Sequence, residues 1–346
     1  MVSNLIIPEL PSDNKITSEA KHFHFYPACG LNSYEGYGRA EIGFLKGCHE
    51  LGLGVDFYPS SDTISLQFGN PKWGASPFMQ RQRRWLFTMI ESNQASQQWV
   101  DNINSHYERV IVPTCDMVDM MRESGVTAPL HYIPLGVDAF PMPHKKRPAT
   151  EPFIFMTYSY GDIRKGAELA VMAFRMLYED NPNYRLVVKA RDGSGIAWLQ
   201  SIQSQQIALV GGAISEQELN TLWDSVHCFV FPSRAEGFGL PPREATLQGI
   251  PSIATQWLGM ADIQEWGYPL SVQDMRPCQY MKEVNNRVGA LWAEPRFDDL
   301  IHWMQWIPMH YEESLSRNAQ HRDYLLNNFT WKQVASEFAL LLGEYA

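Results

Sequence analysis

Strand-length apolar runs and helix-length amphipathic runs take turns along this chain, and the alternation breaks once and then begins again. HFHFYPA (22–28), VDFYP (55–59), TISLQFG (63–69) and RVIVP (109–113) read as strands. Residues 38–51 put Ala40, Ile42, Phe44, Leu45 and Leu51 at helical spacing, and Thr114 and Asp116 offer caps for a run ending at Arg122. The stretch 138–152 then carries four prolines and no period. Beyond it come FIFMTY (153–158), a helix over 166–178, YRLVVKA (184–190), IALVG (207–211), a helix over 215–224, CFVFPS (228–233), a helix from 242, and IPSIAT (250–255). Uninterrupted apolar strands between helices predict parallel sheets covered on both faces. A chain of 346 residues is long for one core. The expectation is an α/β protein of two facing Rossmann-like, doubly wound domains. A cleft should lie between the carboxyl ends of their strands, where such sheets bind ligands.

The remaining segments are less definite. Residues 1–20 should cross the surface, 80–105 read as an aromatic-rich helical region, and the tail from 297 reads as helix. Net charge is −10, and residues 1–144 hold ten lysines and arginines against fifteen acidic residues. That balance argues against nucleic acid or anionic lipid as a global partner. Arg81, Arg83 and Arg84 form one basic knot within it. Five scattered cysteines form no C-x-x-C pair, and four lie in or beside apolar runs, which predicts buried free thiols and a reducing cytoplasm. No stretch is long enough to span a bilayer, which leaves peripheral docking to a membrane compatible with the sequence.

Residues 231–255 hold the densest chemistry. Glu236 and Glu244 stand with seven residues between them, and Gly237, Phe238, Gly239 and Leu240 separate the end of a strand from the start of a helix. Helix starts present unpaired N–H groups suited to an anion, and glycine allows close approach because it lacks a Cβ. Arg164 and Lys165 follow another strand and stand at a helix start, a place unfavourable to cations unless an anion is present.

Residues 231–255 resemble the E-x(7)-E motif of retaining glycosyltransferases with the GT-B fold, the family 4 type. The resemblance extends through 207–240, through 153–178 with Arg164-Lys165-Gly166, through 109–138, and through GYGRAEIGFLKGCHELG (36–52). It implies transfer of a sugar from a nucleotide-diphosphate donor, UDP- or GDP-linked, to a hydroxyl acceptor. The acceptor class stays open among glycan, lipid, small molecule and nucleic acid. It also implies roles. Glu236 lies near the transferred sugar, and Glu244 meets the ribose hydroxyls. Lys165, with Arg164, meets the diphosphate, to which Gly237 to Leu240 offer N–H groups. Gly211, Ala213 and Ile214 frame the base, and Gly36 and Gly38 close on the donor from the acceptor side. Residues 1–145 would be the acceptor-side domain and 150–325 the donor domain, with 326–346 folding back on the first.

Two positions depart from the family. Tyr160 stands five residues before Lys165, where an arginine is common. LQFGNPKW stands where a histidine is common, with Asn70 or Trp73 in its space. A leaving diphosphate needs more than one cation. Lys189, at the end of YRLVVKA, is the candidate substitute, with Arg164 second. The lone histidines His22, His24, His49 and His106 read as structural. No D-x-D triplet occurs, so transfer without a bound metal and without a cofactor is expected. The alternatives are a different enzyme on the same scaffold, such as an epimerase or phosphorylase, a non-catalytic nucleotide-sugar binder, and a transferase acting on nucleic acid.

Overall fold

The structure is a computed structural model that describes residues 22–27, 31, 36–58, 63–71, 74–76, 83–138, 152–160, 163–190, 196–212, 214–278 and 289–345. The first half builds a six-stranded parallel sheet from β1 (His22–Pro27), β2 (Gly54–Asp56), β3 (Ser65–Phe68), β4 (Arg84–Phe87), β5 (Arg109–Val112) and β6 (Leu130–Tyr132). Their order is β2-β1-β3-β4-β5-β6. Helices α1 (Gly36–Leu51), α2 (Gln97–His106) and α3 (Cys115–Glu123) connect them. Thr114 caps α3, its Oγ1 accepting from Met117 N at 3.2 Å.

The second half repeats the plan with β7 (Phe153–Ser159), β8 (Tyr184–Ala190), β9 (Ile207–Val210), β10 (Cys228–Phe231), β11 (Ser252–Thr255) and β12 (Tyr268–Leu270), in the order β12-β11-β10-β7-β8-β9. Helices α4 (Ala167–Tyr178), α5 (Ile196–Ser201), α6 (Glu216–Ser225) and α7 (Leu240–Leu247) run between its strands. An antiparallel hairpin, β13 (Val272–Pro277) and β14 (Leu291–Pro295), follows. Then come α8 (Phe297–Met309), α9 (Tyr311–Asn328) and α10 (Trp331–Tyr345). Strand succession reverses between β1 and β3 in the first sheet and between β7 and β10 in the second. The loops after such strands diverge to opposite faces and leave a crevice.

The last helix belongs to the first core. Phe338 packs edge-on against Phe23 at 4.9 Å and Phe44 at 5.2 Å. Gly43 and Gly47, one turn apart on α1, let Trp331 in: a Cβ on Gly43 would meet its ring at 2.2 Å, and one on Gly47 its carbonyl oxygen at 2.1 Å. Asp138 accepts from Trp331 N at 2.7 Å, which ties α10 to the end of the first half.

Several expectations change. Residues 84–87 are a strand whose Trp85, Leu86 and Phe87 are fully buried, and among the described residues of the aromatic region the helix is Gln97–His106. Three apolar residues in a row cannot be told from a piece of helix by periodicity alone. Helix α1 starts at Gly36, so Gly36 and Gly38 lie in its first turn rather than before it. Cys48 and Cys228 are buried and Cys278 is half-buried, but Cys115 is exposed at the start of α3. Cys29, Trp73, Arg81 and most of the proline-rich stretch lie outside the described residues.

Candidate functional site

The site forms where β7 and β10 end side by side. Beyond β7 a single 3₁₀ turn, Ile163–Lys165, leads to Gly166. Gly166 caps α4 at φ 68°, and a Cβ there would lie 2.0 Å from Pro232 O. Only glycine fits both the dihedral and the gap. Beyond β10 the chain passes through Pro232 to Gly239 and enters α7.

Glu236 is the centre. Its Oε1 accepts from Lys165 Nζ at 2.6 Å, Ser233 Oγ at 2.6 Å and Arg164 Nη1 at 3.2 Å. Arg164 Nη1 also reaches Ala235 O at 2.7 Å and, on the first half of the chain, Glu91 Oε1 at 3.0 Å. Tyr160 puts its ring 4.6 Å from Lys165 Nζ, so the position without an arginine offers a π-face to the cation beside it. Arg164, Lys165 and Glu236 are 2%, 3% and 5% exposed. Burial alone would raise the Glu236 carboxyl. The charges of Lys165 and Arg164, with hydrogen bonds from Lys165 and Ser233, outweigh it and hold the group below the usual glutamate range. All this bonding uses one oxygen; Oε2 accepts from no described residue.

The loop after Glu236 is clamped from behind. Arg243 gives Nη1 to the Phe238 carbonyl and, at 3.1 Å, to Gly259 O, while Nη2 meets Asp262 Oδ1 at 2.5 Å. Its guanidinium lies 4.0 Å from the Phe238 ring and 4.3 Å from Trp266. Phe238 therefore anchors the loop with its side chain. The N–H groups of Gly237, Phe238, Gly239 and Leu240 donate to no described residue. Pro241 and Pro242 remove two further donors, so the free ones concentrate in these four residues. A Cβ on Gly237 would meet Met89 Sδ at 2.4 Å, which sets the loop against the end of β4. Phe238 and Arg243 also line a cavity of about 820 Å³, with Asp116, Tyr132, Asp262 and Phe329.

Arg234 fastens the Arg164–Lys165 turn. Its Nε and Nη2 fork onto Glu294 at 2.6 and 3.0 Å, and Nη1 meets Glu168 at 2.6 Å and the Ile163 carbonyl. Glu244 stands apart, inside α7, where its Oε1 accepts from Arg39 Nε at 3.0 Å and Nη2 at 2.8 Å. Lys189 reaches the carboxyl edge of β8, but its ammonium bonds Ala190 O at 2.7 Å and Gly212 O at 2.8 Å. The structure thus joins Lys189 to the loop of Gly211 and Ile214 and not to the Glu236 cluster; burial lowers its pKa. Ala213 lies outside the described residues. Gly36 is exposed and Gly38 buried at the start of α1. Between them Tyr37 Oη donates to Met89 O at 3.0 Å. His24 is buried on β1 with its Nδ1 3.0 Å from Ser65 Oγ, away from the cluster. Among the described residues no group of three histidines, cysteines or carboxylates is arranged to hold a metal ion, and no described helix is long and apolar enough to cross a membrane.

Five side chains of the site lie outside the sequence expectations. Ser233 and Arg234, just before Glu236, and Arg243, inside the motif, were open to notice as polar residues of that segment. Arg39 and Glu91 meet it only through the fold and carry no local signal.

Comparison with known proteins follows the same lines. HepE of Anabaena, solved in complex with UDP and glucose, superposes with a TM-score of 0.65 at 11% identity, covering 94% of this chain and 100% of that one. Sucrose-phosphate synthase of Thermosynechococcus elongatus gives 0.60 at 17%, covering 91% and 79%. A mutant of S. aureus TarM, in complex with fondaparinux, α-GlcNAc-glycerol and UDP, gives 0.63 at 14%, covering 88% and 59%. The chain spans 58% of the length of TarM in a further crystal structure. These likenesses establish the two-domain GT-B fold. No curated protein sequence matches. The family described as "Family 4 Glycosyltransferase in conflict systems" matches residues 115–338, well over half of the chain, including Arg164, Lys165, Glu236 and Glu244, and the chain belongs to that family.

Proposed function

We propose that the chain is a retaining glycosyltransferase that moves a sugar from a nucleoside-diphosphate donor to a hydroxyl acceptor. One observation carries the reading. Glu236 is a buried, ionised carboxylate with one oxygen fully bonded and the other open, beside four unspent N–H groups. In transfer the bond from the anomeric carbon to the diphosphate breaks and its electron pair leaves on phosphate. The sugar becomes oxocarbenium-like, and an adjacent carboxylate oxygen stabilises it. The Gly237–Leu240 N–H groups receive the growing phosphate charge, with Lys165 and Arg164 supplying positive potential in a dry setting. The acceptor oxygen bonds to the same face of the sugar, and its proton passes to the departing phosphate oxygen. Glu244 takes the ribose hydroxyls through Oε2, which no described residue uses.

Gly211 to Ile214 frame the base with backbone groups. UDP is the first nucleotide to test, because HepE and TarM are solved with it, and GDP the second. Transfer proceeds without a catalytic metal. Thermal-shift measurements with UDP-, GDP- and ADP-sugars, followed by turnover with glycan, lipid and small-molecule acceptors, test it. One donor should stabilise the fold and be consumed with its anomeric configuration kept, and chelator should leave the rate unchanged. Stabilisation by none of the three donors overturns the reading.

A further inference from the structure

Glu244 takes its bonds from the opposite half of the molecule. Arg39 sits in the first turns of α1, 205 positions away in sequence, and its Nε and Nη2 both converge on Oε1 of Glu244. The side chains are 13% and 11% exposed, so the pair is shielded from water more than a surface ion pair. Oε1 is spent on the arginine, and Oε2 accepts from no described residue. A guanidinium gripping a single carboxylate oxygen by two N–H groups fixes the plane and rotation of the carboxyl. The direction of the open oxygen is thus set by a residue of the other domain.

We propose that Arg39 is a positioning residue that aims Glu244 Oε2 at the donor ribose and makes ribose recognition depend on the two domains being together. The proposal rests on the reading of Glu244 as the ribose ligand. Tyr37, beside Arg39, extends the coupling: its hydroxyl bonds both Met89 N and Met89 O, and Met89 abuts Gly237 of the motif loop. Separation of the halves would break the Arg39 contact and the Met89 contact together. Ribose hydroxyls would then find a carboxylate free to rotate and to be solvated, with a lower affinity.

The test uses the full chain and the nucleoside diphosphate among UDP, GDP and ADP that stabilises it most, alongside its 2′,3′-dideoxy counterpart. For the wild type, removing the ribose hydroxyls should weaken binding by calorimetry. Arg39→Met should weaken the hydroxylated nucleotide by about tenfold and leave the dideoxy nucleotide unchanged, and Arg39→Lys should recover part of the loss. Equal losses for both nucleotides, or none for either, overturn the proposal. If Arg39→Met does not fold, Arg39→Lys decides by the same comparison. Failure of every nucleotide to bind the wild type strikes instead at the proposed function, and a wild type indifferent to the ribose hydroxyls strikes at the role of Glu244.

Discussion

The two motif glutamates have only seven residues between them, Glu236 in the loop and Glu244 inside α7, yet they are held by opposite strategies. Glu236 is fastened mostly from within its own sheet: Lys165 and Arg164 come from the turn after β7, the strand hydrogen-bonded to β10, and Ser233 from the same loop. Glu244 is fastened from outside, by Arg39 across the cleft. Each carboxylate keeps one oxygen open. A charge beside the reacting carbon is useful only if it is already in place, because reorganising it would add to the barrier. A ligand for the ribose can tolerate, and profit from, dependence on domain closure. In the proposed function, that difference lets one short motif serve rigid chemistry at one end and conditional binding at the other.

The comparison breaks most directly on turnover. Glu236→Gln should lower it by about 10³-fold, the scale seen when one electrostatic group is lost from a catalytic site. Nucleotide affinity should stay near wild type. Glu244→Gln should do the reverse, raising the nucleotide Kd with a smaller fall in kcat. Single-turnover rates beside calorimetry separate the two, and matching profiles would erase the distinction.

Stability draws the same line more finely. Lys165→Met leaves Arg164 and Glu236 in a buried set missing one charge and should cost about 3 kcal/mol by urea unfolding. Arg39→Met, at a contact between halves that retains some water, should cost about 1 kcal/mol. Comparable losses would mean that the cross-domain pair is as structural as the inner one.

Acid sharpens the contrast further. The folded state holds the Glu236 carboxyl below its ordinary value of 4.5. It therefore binds fewer protons there than the unfolded chain, and unfolding takes protons up. This contribution to stability is complete above the unfolded value and is lost as pH falls through the folded one. Melting temperature should drop as pH falls through that window, and Glu236→Gln should drop less.

The last expected effect belongs to Lys189. Its ammonium joins Ala190 O to Gly212 O, so Lys189→Ala should loosen the loop proposed to frame the base and weaken nucleotide binding by about tenfold, or ~1.4 kcal/mol. Unchanged affinity would remove Lys189 from the donor side, where its location at the sheet edge first suggested it.

Much of this molecule is legible in its sequence. The strand FIFMTY, the capped helix after Thr114, the Gly-Phe-Gly turn into α7 and the convergence of Arg164, Lys165 and Glu236 on one sheet edge follow from local pattern and strand succession. Local chemistry decides them: apolar runs need burial, caps satisfy orphan N–H groups, and a glycine with positive φ has few substitutes. The strand character of RWLF, the packing of Trp331 against Gly43 and Gly47, the anchoring of Phe238 by Arg243, and the reach of Arg39 to Glu244 and of Arg164 to Glu91 came only with the tertiary structure. Those contacts join residues far apart in sequence, and no local pattern records which distant side chain will arrive. A carboxylate at the end of a motif announces that it will need a partner; the folded chain alone decides that Glu236 finds it in its own domain and Glu244 in the other.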